Sequence, residues 1–329
     1  MSERRSVSRR AFVHRTGALG GAALLARVTP GFFARPLAHS LQSPPPDAAV
    51  EKMRADMGAL PIETSRLAEG LTLLSGPGGN VVVFTGKEGK VVVDGFVQPA
   101  WPRLKAALDA IDASPVRTLI DTHWHFDHAD NNANFSAGGA RILAHARTKV
   151  RLSETHDLLG MHFEPVPAAA LPTDTFVDRR TLIINGEQVI LAYVPPAHTD
   201  TDILVHFSNA NVLHMGDVFF NGTYPFIDAS TRGNINGMIA GADRALQMAN
   251  DKTRIVPGHG PLGDRTALLK FRTMLATIRD RVRAEKTKGA TLEQVQGAKP
   301  TAECDADRGK GRMSGSDFAA LVYGTLAVR

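Results

Sequence analysis

Between residues 122 and 128 the chain reads Thr-His-Trp-His-Phe-Asp-His. Four potential metal ligands, His123, His125, Asp127 and His128, fall within six residues, directly after the apolar run 116–120. Three imidazoles and a carboxylate so close together are costly to bury without partners. A fold that keeps them on the end of a core strand must supply a cation. Alternation in an extended turn puts His123 and His125 on one side. Asp127 and His128 then lie where the chain bends away, so one pair can serve one ion and the other pair a second. Neutral imidazole and carboxylate suit zinc, with manganese or iron as the other candidates.

A catalytic ion needs about three protein ligands and an open position, so more donors must come from elsewhere. Three candidates stand just after predicted strands. His198 follows 188–194 through Pro195-Pro196-Ala197, Asp217 follows 211–215, and His259 follows 254–256. Loops at strand ends are where sites are usually built. Asp94 likewise ends the strand Val91-Val92-Val93.

The rest of the chain predicts a scaffold for such loops. Val81–Phe84 and 91–93 flank Gly86-Lys87-Glu88-Gly89, a hairpin signal. Apolar residues at helical spacing predict a helix over 101–111, and further strands are expected at 181–184, 188–194, 203–207 and 211–215. A helix over 235–248, a strand at 254–256 and a long helix over 266–285 follow. Residues 299–315 read as a polar loop and 318–326 as a closing helix. Strands then helices, twice over, predict two sheets with helices outside.

These features resemble the metallo-β-lactamase superfamily. The match is HxHxDH at 123–128, then His198, Asp217 and His259 in that family's order, with Asp94 at its earlier buried aspartate. It covers roughly residues 65–285. The resemblance implies an α/β (α+β) fold, a four-layer αβ/βα sandwich with the site at one edge. It implies one metal on His123, His125 and His198 and a second on Asp127, His128 and His259. Asp217 bridges them, and Asp94 supports the metal loop. Two zinc ions per chain, about 3.5–4 Å apart, then share a water ionised near neutral pH. Asp127 is also the expected catalytic carboxylate, orienting the nucleophile and passing a proton to the leaving group. A bridging aspartate, in place of the cysteine or serine of some β-lactamases, looks more like the thioesterases and lactonases of the superfamily. The expected activity is therefore hydrolysis of an ester, lactone, thioester or cyclic amide in a small-molecule substrate. β-Lactam hydrolysis is the named alternative, and a mono-iron oxygenase the alternative of another class.

Charge excludes one class of partner. The chain has 329 residues and a formal charge of +5, which taken alone hints at nucleic acid. Residues 1–40 hold seven arginines and one acid, and the remainder has 31 basic against 32 acidic residues. The body offers no net field to a polyanion, so no nucleic-acid partner is expected. The basic segment resembles a twin-arginine export signal. Ser8-Arg9-Arg10-Ala11-Phe12 precedes a weakly apolar run at 17–26, and Ala38-His39-Ser40 offers a cleavage site. The run is too short to span a membrane, so no stable span remains after signal removal and the mature protein is expected in the periplasm or otherwise exported.

The expected organisation is a signal at 1–40, a leader at 41–64, the catalytic domain at 65–290 and a helical extension at 291–329. The sequence does not set the oligomeric state. Cys304 is the only cysteine and lies among Glu303, Asp305 and Asp307, which marks it as a bystander. His145 reads as a core histidine or one that supports the ligands from behind, and His206 and His214 read as structural. His156 and His162 lie in 153–172, a segment with few periodic signals that suits a lid or substrate loop. Gly76-Pro77-Gly78-Gly79 suggests a mobile hairpin flap over the site. Tyr224 and Phe226 either wall the pocket or pack in the core; the sequence leaves both open.

Overall fold

The computed structural model describes residues 48–158 and 160–327; the expected export signal lies outside the described residues. The first half runs through helix α1 (Ala48–Gly58), strands β1 (Glu63–Ala68), β2 (Leu71–Gly76), β3 (Gly79–Phe84) and β4 (Lys90–Val93), helix α2 (Trp101–Ile111) and strand β5 (Val116–Ile120). Helices α3 (Phe126–Ala129) and α4 (Asn132–Ala137), strand β6 (Arg141–His145), helix α5 (Ala146–Leu152) and strands β7 (His156–Leu158), β8 (Met161–Phe163) and β9 (Asp174–Phe176) follow. The second half holds β10 (Arg179–Ile184), β11 (Glu187–Tyr193), β12 (Ile203–Phe207), β13 (Val212–His214), α6 (Ile235–Met248), β14 (Arg254–Val256) and α7 (Arg265–Thr287). Helices α8 (Leu292–Gly297), α9 (Ala302–Arg308) and α10 (Gly315–Thr325) close the chain.

Two sheets face each other. One has the order β1-β2-β3-β4-β5-β6-β9, the other β10-β11-β12-β13-β14, and β7 and β8 form a separate hairpin. The apolar runs of β3 and β4 are continuous rather than alternating, because both faces of the sheet are covered. Val82, Phe84, Val91 and Val93 point between the sheets, against Val189, Leu191, Val205 and Phe207. Val81, Val83 and Val92 point the other way, against Leu104 and Leu108 of α2 and Phe135 of α4. Leu204, Leu213 and Ile255 form the outer face of the second sheet, under α6, α7 and α10. The result is the expected mixed α/β sandwich of four layers, helix, sheet, sheet, helix.

Strand direction places the site. β4 and β5 are parallel, with Val93 level with Ile120. β11, β12 and β13 pair antiparallel in sequence, and β14 is parallel to β13. The carboxyl ends of β11, β13 and β14 therefore emerge at one edge, as do those of β4 and β5.

Two segments depart from expectation. Residues 299–315 contain helix α9, which buries none of its residues, so no apolar period marked it. Residues 153–172 contain the hairpin β7–β8, whose Leu158, Met161 and Phe163 pack with Trp124 and Leu152. Its three-residue strands are too short for alternation to register. Among the described residues no helix is long and apolar enough to cross a membrane.

Candidate metal centre

Each strand end delivers one part of the site. Asp94 leaves β4 in the left-handed region, φ 64°, a conformation that aspartate tolerates better than most residues. That turn swings its carboxylate beneath the next loop. Oδ1 accepts from the Thr122 amide at 2.8 Å, and Oδ2 accepts from the Thr122 hydroxyl and from His128 Nδ1, each at 2.8 Å. The Thr122 hydroxyl has spent its proton on Asp94, so its contact with His123 Nδ1 at 3.1 Å is donated by the imidazole. His123 therefore presents Nε2 without a proton, and His128 also turns Nε2 toward the site, although its burial is outweighed by Asp217, Asp94 and Asp127, which hold it well above its usual value. Both nitrogens are buried and have no hydrogen-bond partner.

The other two imidazoles are oriented the same way. His198 Nδ1 donates to the Phe226 carbonyl at 2.9 Å, and His125 Nε2 donates to Asp228 Oδ2 at 3.3 Å. The remaining nitrogens, His198 Nε2 and His125 Nδ1, face each other at 2.9 Å. With the other nitrogen of each ring engaged elsewhere, these two converge on one spot in a buried space. A proton or a metal ion between them holds such a pair together, and the donor set fits a metal.

Asp217 ties these nitrogens to the second group. Its Oδ2 lies 3.3 Å from His198 Nε2 and 3.3 Å from His259 Nε2, and its Oδ1 lies 3.3 Å from His128 Nε2. Asp127 Oδ2 is 3.4 Å from His259 Nε2. His123, His125, His198 and Asp217 form one cluster able to hold an ion; Asp127, His128 and His259 form another. The first is wholly buried, whereas the side chains of His259 and Asp127 keep 28% and 13% exposure. The second cluster is therefore the more open of the two.

The electrostatics follow from the burial. Burial pushes His198 down to about 4 and His123 well below its usual value, which keeps both neutral and able to ligate. Burial also raises Asp217, but His259, His128 and His198 outweigh it and hold the carboxyl well below the usual range. Burial lowers His259, yet Asp217 and Asp127 carry it up to about 9. Protons and divalent cations thus compete for the second cluster.

Close backbone approach seals the site. A Cβ on Gly258 would lie 1.9 Å from Asp217 Oδ1, and one on Gly79 would lie 2.5 Å from the Gly258 carbonyl. The glycine-rich turn is fastened rather than a free flap. The Asn80 amide donates to the Gly258 carbonyl, and its side chain donates to the carbonyls of Pro257 and Gly260.

All seven predicted ligands converge, and Asp94 stands behind them. His145 stacks on Tyr193 at 4.0 Å, and His214 lies 3.1 Å from the Asn80 carbonyl and 4.0 Å from Asp94 Oδ2 through Nε2; neither belongs to a ligand cluster. His162 pairs with Asp157 and Glu164 on its own hairpin. Phe226 lies against His125 and His198, with ring centroids 6.1 and 5.9 Å away. Tyr224 is core instead: it stacks on Phe318 and donates to Asp305 Oδ1 at 2.8 Å. Sequence reasoning missed Asp228 and Asp202. Asp228 takes the Ser230 amide and both hydroxyls of Ser230 and Thr231 besides His125. Asp202 clamps the His198 and Thr199 amides at 2.8 and 2.9 Å. The only trace of the former was an aspartate followed by Ser230 and Thr231, the pattern of a capped turn.

Residues 74–259 match the Metallo-beta-lactamase superfamily, and the chain belongs to it. Members of that superfamily are metal-dependent hydrolases. A 147-residue stretch is 31% identical to 2,4-dinitroanisole O-demethylase subunit alpha of Nocardioides sp. (strain JS1661), covering 43% of this chain and 42% of that protein's length. Among solved structures, the fold is similar to the metallo-beta-lactamase from Pontibacter korlensis, with TM-score 0.56 at 18% identity, over 66% of this chain and 99% of that one. It is also similar to the inverting sec-alkylsulfatase Pisa1 from Pseudomonas sp., with TM-score 0.62 at 15% identity, over 80% and 50%.

Proposed function

We propose that this chain is an exported hydrolase with two zinc ions, acting on a carbonyl-centred bond such as an ester, lactone, thioester or cyclic amide. The observation that carries this reading is the facing pair of ring nitrogens on His125 and His198, joined through Asp217 to His128 and His259. His123, His125 and His198 would hold one ion, Asp127, His128 and His259 the other, and Asp217 both. Bound there, the metals would ionise a water near neutral pH and polarise the electrophile.

The chain's own residues do the rest. Asp94, Asp228 and the Phe226 carbonyl fix three imidazole tautomers, so no reorganisation is needed when the ligands engage. Asp127 Oδ2, at the open side, orients the attacking water and hands its proton to the leaving oxygen, sulfur or nitrogen as that bond breaks. Export rests on the twin-arginine-like pattern at 8–12 and the small-residue site at 38–40.

The test is metal analysis joined to a substrate panel of β-lactam, lactone, thioester, aryl ester, sulfate ester and aryl methyl ether. The last two arms follow the names of the sulfatase and demethylase relatives. Two zinc per chain and turnover of a carbonyl substrate support the reading. One iron per chain with oxygen consumption supports the oxygenase alternative, and turnover confined to β-lactams supports the lactamase one.

A further inference from the structure

Asn80 lies at the start of strand β3 and belongs to neither ligand cluster, yet its bonds converge on one of them. It is 2% exposed and stands across from Ser75 in the hairpin β2–β3. The Ser75 hydroxyl donates to its Oδ1 at 2.6 Å, which turns Nδ2 the other way. Both Nδ2 hydrogens are then used, on the Pro257 carbonyl and on the Gly260 carbonyl, each at 2.9 Å. The backbone amide of Asn80 donates to the Gly258 carbonyl, also at 2.9 Å. A single residue of the first sheet thus holds the carbonyls on both sides of His259, across 177 and 180 positions of sequence. The His259 carbonyl itself accepts from the Asn221 amide at 3.0 Å. Asn80 also reaches toward Asp217. His214 Nδ1 accepts from the Gly216 amide at 3.0 Å, so its Nε2 carries the proton and donates to the Asn80 carbonyl at 3.1 Å.

The other ligand imidazoles are anchored through their rings. Thr122, Asp228, Asp94 and the Phe226 carbonyl engage the outward nitrogens of His123, His125, His128 and His198 in turn. His259 is placed differently. Among the described residues no group engages its Nδ1, and the ring is steadied by Phe220, stacked at 5.0 Å. The reach of its Nε2 to Asp127 and Asp217, 3.4 and 3.3 Å, therefore depends on where the 257–260 backbone lies.

We propose that Asn80 is the positioning residue of the second metal site, a latch from the first sheet that fixes the backbone on both sides of His259. This rests on the two-metal reading of the same site. Asn80→Asp keeps the shape but puts an oxygen where two carbonyls need a donor. Asn80→Ala leaves those carbonyls unpaired. Either change frees the loop that carries His259, while the anchors of His125 and His198 stay in place.

Zinc titration against a competing chelator resolves the two binding steps, and Asp228→Ala marks the step that belongs to the first cluster. Asn80→Asp and Asn80→Ala should weaken the other step about tenfold or more and leave the first within about twofold. Amide hydrogen exchange on the metal-free protein is the second readout. The Gly258 and Asn221 amides, bonded within the loop framework, should exchange about tenfold faster relative to the His198 and Thr199 amides held by Asp202. Tyr224→Phe is the control for a general loss of stability and should shift neither ratio. Ser75→Ala, which only frees the Asn80 amide to turn, carries the same test at smaller amplitude if the Asn80 variants fail to fold. Equal weakening of both zinc steps, or an unchanged exchange ratio in a folded variant, overturns the proposal. If the wild-type protein takes only one ion, the two-metal reading falls and the exchange ratio alone decides: a local rise sustains the latch, and an unchanged ratio removes it.

Discussion

Gly258→Ala is the most economical perturbation of the proposed bridge. The backbone at 258 is held in place by its own amide, which donates to the carbonyls of Gly216 at 2.7 Å and Phe219 at 3.0 Å. An added Cβ would stand 1.9 Å from Asp217 Oδ1, 2.7 Å from the Gly216 carbonyl carbon and 2.9 Å from the Asp217 amide nitrogen. Non-bonded heavy atoms settle near 3.5 Å, so the carboxylate or the 257–259 backbone must retreat by about 1 Å or more. Metal–oxygen bonds of about 2.0–2.2 Å do not survive such a shift on both sides of a bridge. The neighbouring His259 moves with the backbone, so the second cluster suffers most. We expect metal content to fall from two ions per chain toward one. Turnover of the substrate found by the panel should fall about 100-fold, as misplacements of this size do. Overpacking should cost the metal-free fold only about 1–3 kcal/mol. Inductively coupled plasma analysis, steady-state kinetics and urea denaturation read the three quantities. A folded Gly258→Ala protein with two ions and wild-type turnover would refute the claim that Asp217 bridges.

Asp228→Ala should leave His125 free to turn, and metal affinity of the first cluster should fall about 10–100-fold by chelator competition. A change confined to the second ion would contradict the assignment. His259, carried up to about 9 by Asp217 and Asp127 once burial is outweighed, also predicts a pH dependence. Its protonated form is favoured by the fold, so that stabilisation is complete below the unfolded value near 6.5 and is lost as pH rises through about 9. A metal takes only the neutral imidazole and His128 in the same cluster is raised as well, so affinity for the second ion should rise by at least about tenfold per pH unit up to about 9, and a flat profile would speak against it. Tyr224→Phe removes a buried donor to Asp305 and should cost about 1 kcal/mol in urea denaturation with metal content unchanged.

Much of the architecture was readable from patterns of burial. The continuous valine runs of β3 and β4 announced strands covered on both faces, and the spacing of Leu104 and Leu108 announced α2. The ligands were readable because their chemistry is expensive to bury and all stand at strand ends. What escaped lacked such a signature. Helix α9 buries nothing, and β7–β8 pair over three residues each. Asp228 and Asp202 act through geometry that only the folded chain creates, across 103 residues in the case of Asp228 and His125. Tyr224 and Phe226 lie two residues apart and face opposite ways, one into the core and one toward the ligands. No local feature of Tyr-Pro-Phe distinguishes them.

Anomalous diffraction at the zinc edge from crystals of the zinc-loaded protein probes the centre itself. Two peaks are expected, one among His123, His125 and His198 and one among Asp127, His128 and His259, with the Asp217 carboxylate bonded to both. A single peak, or an Asp217 that touches only one ion, would contradict the account.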